Sequence, residues 1–281
     1  MINFEELANA LNPNTGQTLK AAPTPPAYTI PAKLLSKGTT NAKTSKNALE
    51  TFILYMSPAA QNSKGADLCP FRSKGCTAAC LYTAGRGKFN NVQRARMNKS
   101  EYFTRDKKTF LAQLALELIA INKKQLKKGT KAAIRLNGTT DVDFIYLLKN
   151  RAGLDALQLE GLVFYDYTKD PHRVKRYAGT NYTLTFSRAE DNEPQALDIL
   201  KNSGIVSAVF AEKLPQFYKG FEVIDGDQSD DLMIKAATAV GVLKRTRKGK
   251  GLILGLKAKG DAKKDVSGFV ITSHLNTNTN A

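Results

Sequence analysis

The 281-residue chain has no tryptophan, two histidines and three cysteines, and it lacks any long apolar run. A membrane-spanning helix needs about 18 to 20 consecutive apolar residues, so a spanning protein is excluded and no membrane partner is expected. The first thirty residues contain Glu5 and Glu6 and no apolar segment of the secretory type, so we expect no signal peptide. Three cysteines cannot form a closed set of disulfides, which indicates a reducing, cytoplasmic compartment.

Acidic residues are scarce relative to basic ones. The chain has 42 Lys and Arg against 25 Asp and Glu, a formal net charge of +17. Residues 64–108 and residues 244–264 each carry a balance of +8, so two stretches hold almost all of the excess. Clustered positive charge is typical of a protein that binds a polyanion, although a solvated surface also explains it. The candidate nucleic-acid or phosphate contacts are Arg86, Lys88, Arg94, Arg96, Lys244, Arg245, Arg247 and Lys248.

Composition divides the chain into three parts. Residues 1–47 are rich in Asn, Thr, Pro, Ala and Lys, which build cores poorly, so we expect an extended or loosely ordered N-terminal arm. Residues 48–235 alternate apolar segments of strand and helix length, which predict an α/β domain. Residues 236–281 are expected to form a small basic β appendage followed by a loose tail. The apolar fraction of 42% suffices for a sizeable core.

Strands that alternate with helices indicate βαβ units and a parallel sheet. Six strands are few for a closed eight-stranded barrel, so we predict an α/β fold built as a partial (β/α)6-type parallel barrel. The predicted strands are 52–56, 132–136, 162–165, 182–186, 206–210 and 221–224. One long amphipathic helix is predicted over residues 101–127 and ends at Gly129. Shorter helices are predicted over residues 142–150, 171–177 and 193–202.

The three cysteines lie within twelve positions of one another and follow the first predicted strand. Their spacing, C-x6-C-x3-C, places Cys76 and Cys80 on one face of a helical segment, with Cys69 reaching in from the loop. Three thiolates in a short loop bind three irons of a [4Fe–4S] cluster and leave one iron open. A zinc site needs a fourth ligand, for which His172 is a candidate. Three ordinary small hydrophobic cysteines are the remaining alternative.

Nearly every predicted strand turns polar at its carboxyl end. Sites in parallel α/β proteins form at these ends, so the pattern predicts a lined cavity there. We expect catalytic roles in this cavity for Asp141, Asp166 and Lys169. Cofactor contacts are expected from Asn137, Thr140, Ser187 and Arg188.

The run 225–231 holds four carboxylates in seven residues. Such a run suits either the N-terminus of a helix or a Mg²⁺ site. It does not follow the EF-hand loop pattern, because Gly226 falls too early. Helix capping or polar contact with a substrate is therefore favoured over a dedicated metal site.

Several short segments point to a family when taken together. They occur in the following order: Leu68-Cys69-Pro70, Gly75-Cys76, Cys80-Leu81, Gly85-Arg86-Gly87, Arg135-Leu136-Asn137-Gly138, Phe164-Tyr165-Asp166-Tyr167-Thr168-Lys169, Asn181-Tyr182, Phe186-Ser187 and Asp225-Gly226-Asp227. Over a range from about Leu35 to Val270, the chain resembles the bacteriophage gene-product-88-like family. The resemblance implies a phage protein in the host cytoplasm and implies no particular activity.

The chain also resembles, more weakly, the radical S-adenosylmethionine enzymes, which place a three-cysteine loop after the first strand of a partial (β/α)6 barrel. That resemblance implies a [4Fe–4S] cluster held by Cys69, Cys76 and Cys80, with S-adenosylmethionine bound to its open iron. The chain departs from the superfamily in cysteine spacing, which is usually C-x3-C-x2-C. It also has Asn137-Gly138-Thr139-Thr140 in place of the superfamily's Gly-Gly-Glu-Pro segment.

Three functions follow from these features. The leading expectation is an iron–sulfur, radical S-adenosylmethionine-like phage enzyme acting on a nucleic acid, a nucleotide or another phosphate-bearing substrate. The first alternative is a non-catalytic nucleic-acid-binding phage protein whose cysteine loop is structural, with or without zinc. The second alternative is a Mg²⁺-dependent nuclease that uses Asp141, Asp166, Asp225 and Asp227.

Overall fold

The computed structural model describes residues 28–40, 43–238 and 251–272, which form seven α-helices and ten strands. The helices are α1 (Lys74–Ala78), α2 (Asn90–Arg105), α3 (Lys107–Lys127), α4 (Phe144–Ala152), α5 (Pro171–Arg176), α6 (Glu193–Lys201) and α7 (Asp231–Thr238). The strands are β1 (Leu35–Lys37), β2 (Glu50–Leu54), β3 (Ala132–Arg135), β4 (Leu162–Thr168), β5 (Tyr182–Ser187), β6 (Ile205–Phe210), β7 (Phe217–Tyr218), β8 (Phe221–Asp225), β9 (Leu252–Lys257) and β10 (Val270–Ile271).

All ten strands belong to one open sheet with the order β1-β2-β3-β4-β5-β6-β9-β8-β7, and β10 pairs with β6. The inner strands are parallel, and the antiparallel strands β1 and β7 form the two edges. The predicted α/β class with a parallel sheet is confirmed, and all six predicted strands are present with ends shifted by up to three residues. The sheet does not close into a barrel in the part of the chain that the structure describes.

Both faces of the sheet are buried. On β4, Leu162 and Phe164 point to the face covered by helices α2, α3 and α4. Val163 and Tyr165 point to the opposite face, against α7. The first core continues along the sheet to β6 and α6. Strands β2 to β6 follow one another in chain order, and right-handed crossovers in one direction place the connecting helices on the same face.

The part of the predicted C-terminal β appendage that the structure describes contributes β9 and β10 to the main sheet. Strand β9 pairs in parallel with β6 on one side and with β8 on the other. Residues Leu252, Ile253 and Leu254 are buried there. A short apolar run predicts a strand but not its neighbours, so its central position was not visible in the sequence. The basic residues Lys244, Arg245, Arg247 and Lys248 lie outside the described residues.

The single helix predicted over residues 101–127 is two helices. Asp106 interrupts it with φ −136° and ψ 63°, and its carboxylate accepts a hydrogen bond from the Thr109 N–H at 3.2 Å. The apolar residues Phe103 and Phe110 pack together across this break, so the hydrophobic periodicity continues through it. The predicted end is confirmed, because Gly129 has φ +63° after α3.

Part of the predicted N-terminal arm is built into the sheet. Strand β1 pairs antiparallel with β2, and Leu34 and Leu35 are buried. The Glu117 carboxylate on α3 accepts hydrogen bonds from the N–H groups of Leu34 and Leu35 at 2.7 and 2.9 Å. A polar anchor on α3 therefore holds β1 at the edge of the sheet. None of the helices in the described ranges has the length and apolar character needed to cross a membrane.

Candidate functional site

The polar loops that follow β2, β3 and β4 meet at one edge of the sheet, because these strands are parallel neighbours. Tyr55 follows β2, residues 137–141 follow β3, and Lys169 follows β4. The sequence predicted this convergence from the carboxyl-end rule. The structure shows which of these converging side chains form hydrogen bonds with one another.

Asp166 is completely buried near the end of β4. Its carboxylate accepts hydrogen bonds from the N–H groups of Leu136 and Asn137 at 3.2 and 2.9 Å, and from the Tyr182 hydroxyl at 3.0 Å. Burial raises the pKa of this carboxyl to about 6, although the charge of Arg135 and these donors act in the opposite direction. Asp166 thus links β3, β4 and β5 from inside the protein.

Asp141 joins the loops after β3 and β4. Its carboxylate accepts hydrogen bonds from Arg173 Nη1 at 2.6 Å and from the Lys169 N–H at 2.9 Å. Burial raises the pKa of Asp141, and Arg173 opposes that rise. The predicted catalytic residues Asp141 and Lys169 therefore meet through the Lys169 backbone. The Lys169 amine lies 5.4 Å from the centre of the Phe269 ring.

The predicted cofactor contacts Asn137 and Thr140 bind within their own loop. Asn137 Oδ1 accepts hydrogen bonds from the Val142 N–H at 2.8 Å and from the Thr140 hydroxyl at 3.0 Å. Its Nδ2 donates to the Val142 carbonyl at 2.9 Å. These three bonds fix the turn between β3 and α4.

Ser187 and Arg188, the other predicted cofactor contacts, follow β5. The Ser187 and Ser207 hydroxyls are 3.1 Å apart. Arg188 Nη1 donates to the carbonyls of Gly268 and Phe269 at 2.6 and 3.1 Å, and its Nη2 lies 2.9 Å from Glu193. Arg188 therefore anchors the segment that leads into β10.

The three thiols are close enough to influence each other electrostatically, but their contacts differ. Cys69 Sγ accepts a hydrogen bond from the Ala59 N–H at 3.3 Å and donates to the Thr139 carbonyl at 3.8 Å. Cys76 packs against an apolar cluster that includes Phe269. Burial raises the pKa of the Cys69 thiol to about 12 and of the Cys80 thiol to about 11, so both are protonated at neutral pH.

The iron–sulfur interpretation of the cysteine loop is wrong. Across residues 28–40, 43–238 and 251–272, no group of three or more His, Cys, Asp or Glu side chains is placed to hold a metal ion. This finding overturns the iron–sulfur cluster and the radical S-adenosylmethionine interpretation that depended on it, whereas the zinc alternative stays a prediction. The spacing predicted that Cys76 and Cys80 share a helix face, but α1 ends at Ala78 and Cys80 lies outside it. His172 is exposed on α5, and His274 is outside the described residues.

The carboxylates of the Mg²⁺ alternative are separated as well. Asp141 and Asp166 are engaged as described above, whereas Asp227 accepts hydrogen bonds from the Lys257 N–H at 2.9 Å and from Lys259 Nζ at 2.7 Å. Asp225 accepts a hydrogen bond from the Asp227 N–H at 2.9 Å. The run 225–231 leads into α7, as its preferred interpretation predicted.

The short cysteine helix α1 is held by a residue that the sequence did not single out. Glu190 accepts hydrogen bonds from the Gly75 N–H and the Ser73 hydroxyl, both at 2.7 Å. A Cβ atom at Gly75 would lie 2.7 Å from the Cβ atom of Phe269, so only glycine fits this close approach. The polar ending of β5 was the only sequence signal for this contact.

Three arginines at the same edge of the sheet have buried nitrogens with no hydrogen-bond partner in the described part of the chain. They are Arg96, through Nε and Nη1, and Arg135 and Arg173, each through Nε. Arg173 is nevertheless bound through its Nη1 and Nη2 atoms. The Arg96 guanidinium lies 5.0 Å from the centre of the Tyr55 ring and 5.5 Å from that of Tyr82. The Arg135 guanidinium lies 4.9 Å from the centre of the Tyr167 ring. Sequence analysis listed Arg96 only as part of a basic stretch, and it missed Arg135.

The other predicted phosphate contacts of this stretch are on the surface. Arg86, Lys88 and Arg94 are exposed. Lys88 and Arg94 line an open depression of about 510 Å³ together with Phe89, Asn90 and Asn91. We call this depression the Phe89 groove.

A wider cleft of about 1530 Å³ lies at the opposite edge of the sheet, near the amino ends of the strands. Its lining includes Leu49, Lys131 and Thr180, which precede β2, β3 and β5. Tyr146 and Lys235 come from helices on the two faces. No feature of the sequence pointed to this cleft.

The described residues define a mixed α/β protein with an open, mainly parallel sheet and a buried polar network at its carboxyl edge. A family model described as Gene product 88 matches residues 33–273, which is most of the chain. The protein therefore belongs to the gene product 88 family, and the resemblance seen in the sequence is confirmed. No curated protein and no solved structure matches the chain significantly.

Proposed function

We propose that the protein binds single-stranded nucleic acid through the surface around the Phe89 groove. The segment that forms this surface has a single sign of charge. No Asp or Glu occurs between Asp67 and Glu101, whereas Lys and Arg occur seven times in the same interval. Cations grouped in this way neutralise backbone phosphates and release their counterions, which favours binding of a polyanion.

The observation that carries the proposal is the exposed ring of Phe89. Its side chain is 51% exposed and borders the cations Lys88 and Arg94. An exposed aromatic ring beside cations gives an unpaired base a face for stacking, while the cations contact the phosphates. Asn90 and Asn91 add donors and acceptors that suit base edges. Stacking of this kind requires bases that are not paired, so we favour a single strand over a duplex.

A second exposed ring supports the same function. Phe71 is 47% exposed and lies in the loop between Cys69 and α1, within the same interval without carboxylates. Single-strand binding proteins commonly use several stacking side chains in succession along the strand. Phe71 is therefore a candidate for a second stacking position.

For the architecture, we propose the partial (β/α)6 winding that the sequence predicted. The support is the chain-order succession of β2 to β6 with their connecting helices on one face, which is how barrels are wound. An experimental structure tests this proposal through the curvature of the sheet across β2 to β6. A flat sheet at these strands would contradict it.

The test of function is fluorescence anisotropy with a labelled 20-nucleotide oligothymidine and with a duplex of equal length. We expect tighter binding of the single strand and an affinity that falls steeply as salt rises. We expect Phe89→Ala to weaken binding about ten-fold, because loss of one base–aromatic stack costs about 1–3 kcal/mol. Lys88→Gln should lower both the affinity and the slope of its salt dependence.

Phe217→Ala is the matched control, because Phe217 is 54% exposed on β7, far along the sheet from β2. It removes an equally exposed ring and should leave binding unchanged. Equal losses in Phe89→Ala and Phe217→Ala would contradict a specific groove. Tighter binding of the duplex would contradict the single-strand proposal.

A further inference from the structure

Arg96 is a partly buried cation that has no carboxylate beside it among the described residues. Its Nε and Nη1 atoms are buried and have no hydrogen-bond partner among the residues that the structure describes. The guanidinium is flanked by the rings of Tyr55 and Tyr82, and burial lowers its pKa. A buried charged donor with no partner is unfavourable and rare in native proteins, so it requires a partner that the protein atoms do not supply.

Arg135 is close enough to Tyr55 for the two side chains to interact electrostatically. Tyr55 directly follows β2, and Ile53 of β2 pairs with Arg135 of β3. The Arg135 Nε is also buried without a hydrogen-bond partner in the described ranges, and its side chain is 17% exposed. The Asp166 carboxylate is 3.9 Å from this nitrogen, too far for a hydrogen bond.

The local backbone is adapted to bring these groups together. A Cβ atom at Gly138 would lie 2.5 Å from the Tyr55 ring, so glycine allows the ring to lie against the loop after β3. A Cβ atom at Gly87 would lie 3.2 Å from Arg96 Nη1, so the turn that leads into the Phe89 groove rests directly on this guanidinium. Arg96 is therefore adjacent to the proposed nucleic-acid surface but faces inward.

We propose that Arg96 and Arg135, which both lie close to Tyr55, bind one phosphate monoester group. Guanidinium groups match phosphate oxygens in paired hydrogen bonds. Arg96 supplies the uncompensated charge, because Asp166 and Asp230 already act on Arg135. An internal phosphodiester has only two free oxygens and continues into chain on both sides. A terminal phosphate has three free oxygens and enters a partly buried site as an end group.

The phosphate comes either from the 5′ end of a bound strand or from a free mononucleotide. The first source rests on the proposed function, since the strand would lie in the Phe89 groove. The second source is independent of it. Both share the same terminal phosphate chemistry.

The experiment compares 5′-phosphorylated and unphosphorylated eight-nucleotide oligothymidine in anisotropy competition, and thymidine 5′-monophosphate with thymidine in calorimetry. For the unmodified protein we expect the 5′-phosphate to tighten binding by about ten-fold or more, the usual effect of charge-assisted hydrogen bonds. Arg96→Gln should abolish this difference. Arg96→Lys should restore part of it, because the charge remains and the paired donors are lost.

Arg94→Gln is the control, because Arg94 is an exposed arginine of the same helix. It should weaken both oligonucleotides equally and keep the 5′-phosphate difference. Thermal melting followed by circular dichroism verifies that each variant is folded. The unmodified protein tests the inference without any variant, so a variant that fails to fold does not weaken the test.

The possible results separate the two proposals. Monophosphate binding as tight as that of the oligonucleotide assigns the site to free nucleotides, and binding of the phosphorylated strand alone assigns it to strand ends. Arg96-dependent monophosphate binding without any oligonucleotide binding supports this inference and contradicts the proposed function. Equal binding of both oligonucleotides with no monophosphate binding overturns the inference and leaves the proposed function intact.

Discussion

At the scale of single residues, the buried polar groups of the carboxyl edge fall into two kinds. Asp166 and Asn137 have their polar atoms bound by neighbouring loops and strands. Arg96, Arg135 and Arg173 each have a buried nitrogen with no hydrogen-bond partner among the described residues, and of these three only Arg96 has no carboxylate beside it. Partnered groups stabilise the loops, whereas groups without protein partners are those available to a ligand.

Asp166 predicts a pH dependence of stability. Its pKa is about 6 in the folded protein, because burial raises it above the ordinary value of an aspartate. Between about pH 4 and pH 6 the folded state therefore holds a proton that the unfolded state has lost, and this group's contribution to stability falls as pH rises. The asparagine of Asp166→Asn does not titrate, so the variant lacks this pH-dependent contribution to stability. The free energy that it loses through altered hydrogen bonds is the same at every pH.

Urea unfolding at several pH values measures this effect. The difference in free energy of unfolding, native protein minus Asp166→Asn, should decrease from pH 4 to pH 6 and then level off. A difference that increases over this window would show that the carboxyl is already ionised at pH 4 in the folded protein.

The sequence predicted where these residues lie but not how they bind. The strand pattern and the carboxyl-end rule were sufficient to bring residues 137–141, Asp166 and Lys169 to one edge. The sequence does not give the register of β4 against β5. That register decides whether the Asp166 side chain contacts the Tyr182 hydroxyl or solvent. Arg96 belongs to a basic stretch most of whose members are exposed, so its position between Tyr55 and Tyr82 has no sequence signature.

At the scale of elements, the cysteine helix α1 depends on the β5–α6 loop. The helix has only five residues and is too short to be stable alone. Glu190 accepts hydrogen bonds from the Gly75 N–H and from the hydroxyl of Ser73, the residue before the helix, and Cys76 packs against an apolar cluster. The cysteines that seemed to form a separate motif are thus held by a loop more than a hundred residues away.

Glu190→Ala should release this helix. It leaves the Gly75 N–H without its acceptor, which costs about 1–3 kcal/mol of stability. We expect a lower midpoint of urea unfolding and faster reaction of the Cys69 and Cys80 thiols with a disulfide reagent. Asp191→Ala removes the neighbouring exposed carboxylate and should change neither measurement. Unchanged thiol reactivity in Glu190→Ala would show that other contacts hold α1.

At the scale of the whole molecule, the sheet is completed by residues from near the end of the chain. Strand β9 fills the position between β6 and β8, so the described C-terminal residues belong to the central core. Two close approaches accompany this insertion. A Cβ atom at Gly251 would lie 2.5 Å from the Gly204 carbonyl oxygen, and one at Gly255 would lie 2.7 Å from the Val223 side chain.

Truncation tests this arrangement. A chain that ends at residue 250 lacks β9 and β10, so we expect it to lose cooperative unfolding and to aggregate, since β6 then presents an unpaired apolar edge. A chain that ends at residue 273 keeps both strands and should unfold like the full-length protein. A cooperative unfolding transition in the shorter chain would contradict this arrangement and support the separate C-terminal appendage that the sequence predicted.

The position of β9 also sets an order of events during synthesis. Strands β2 to β6 lie next to one another in the sheet in the order in which they leave the ribosome, and each can pair as it appears. Strand β6 must then wait for residues 252–257, more than forty positions later, before its second edge is covered. During that interval the nascent protein exposes a row of unpaired backbone groups on an apolar strand, which makes this stage of synthesis the one at which it is most exposed to aggregation.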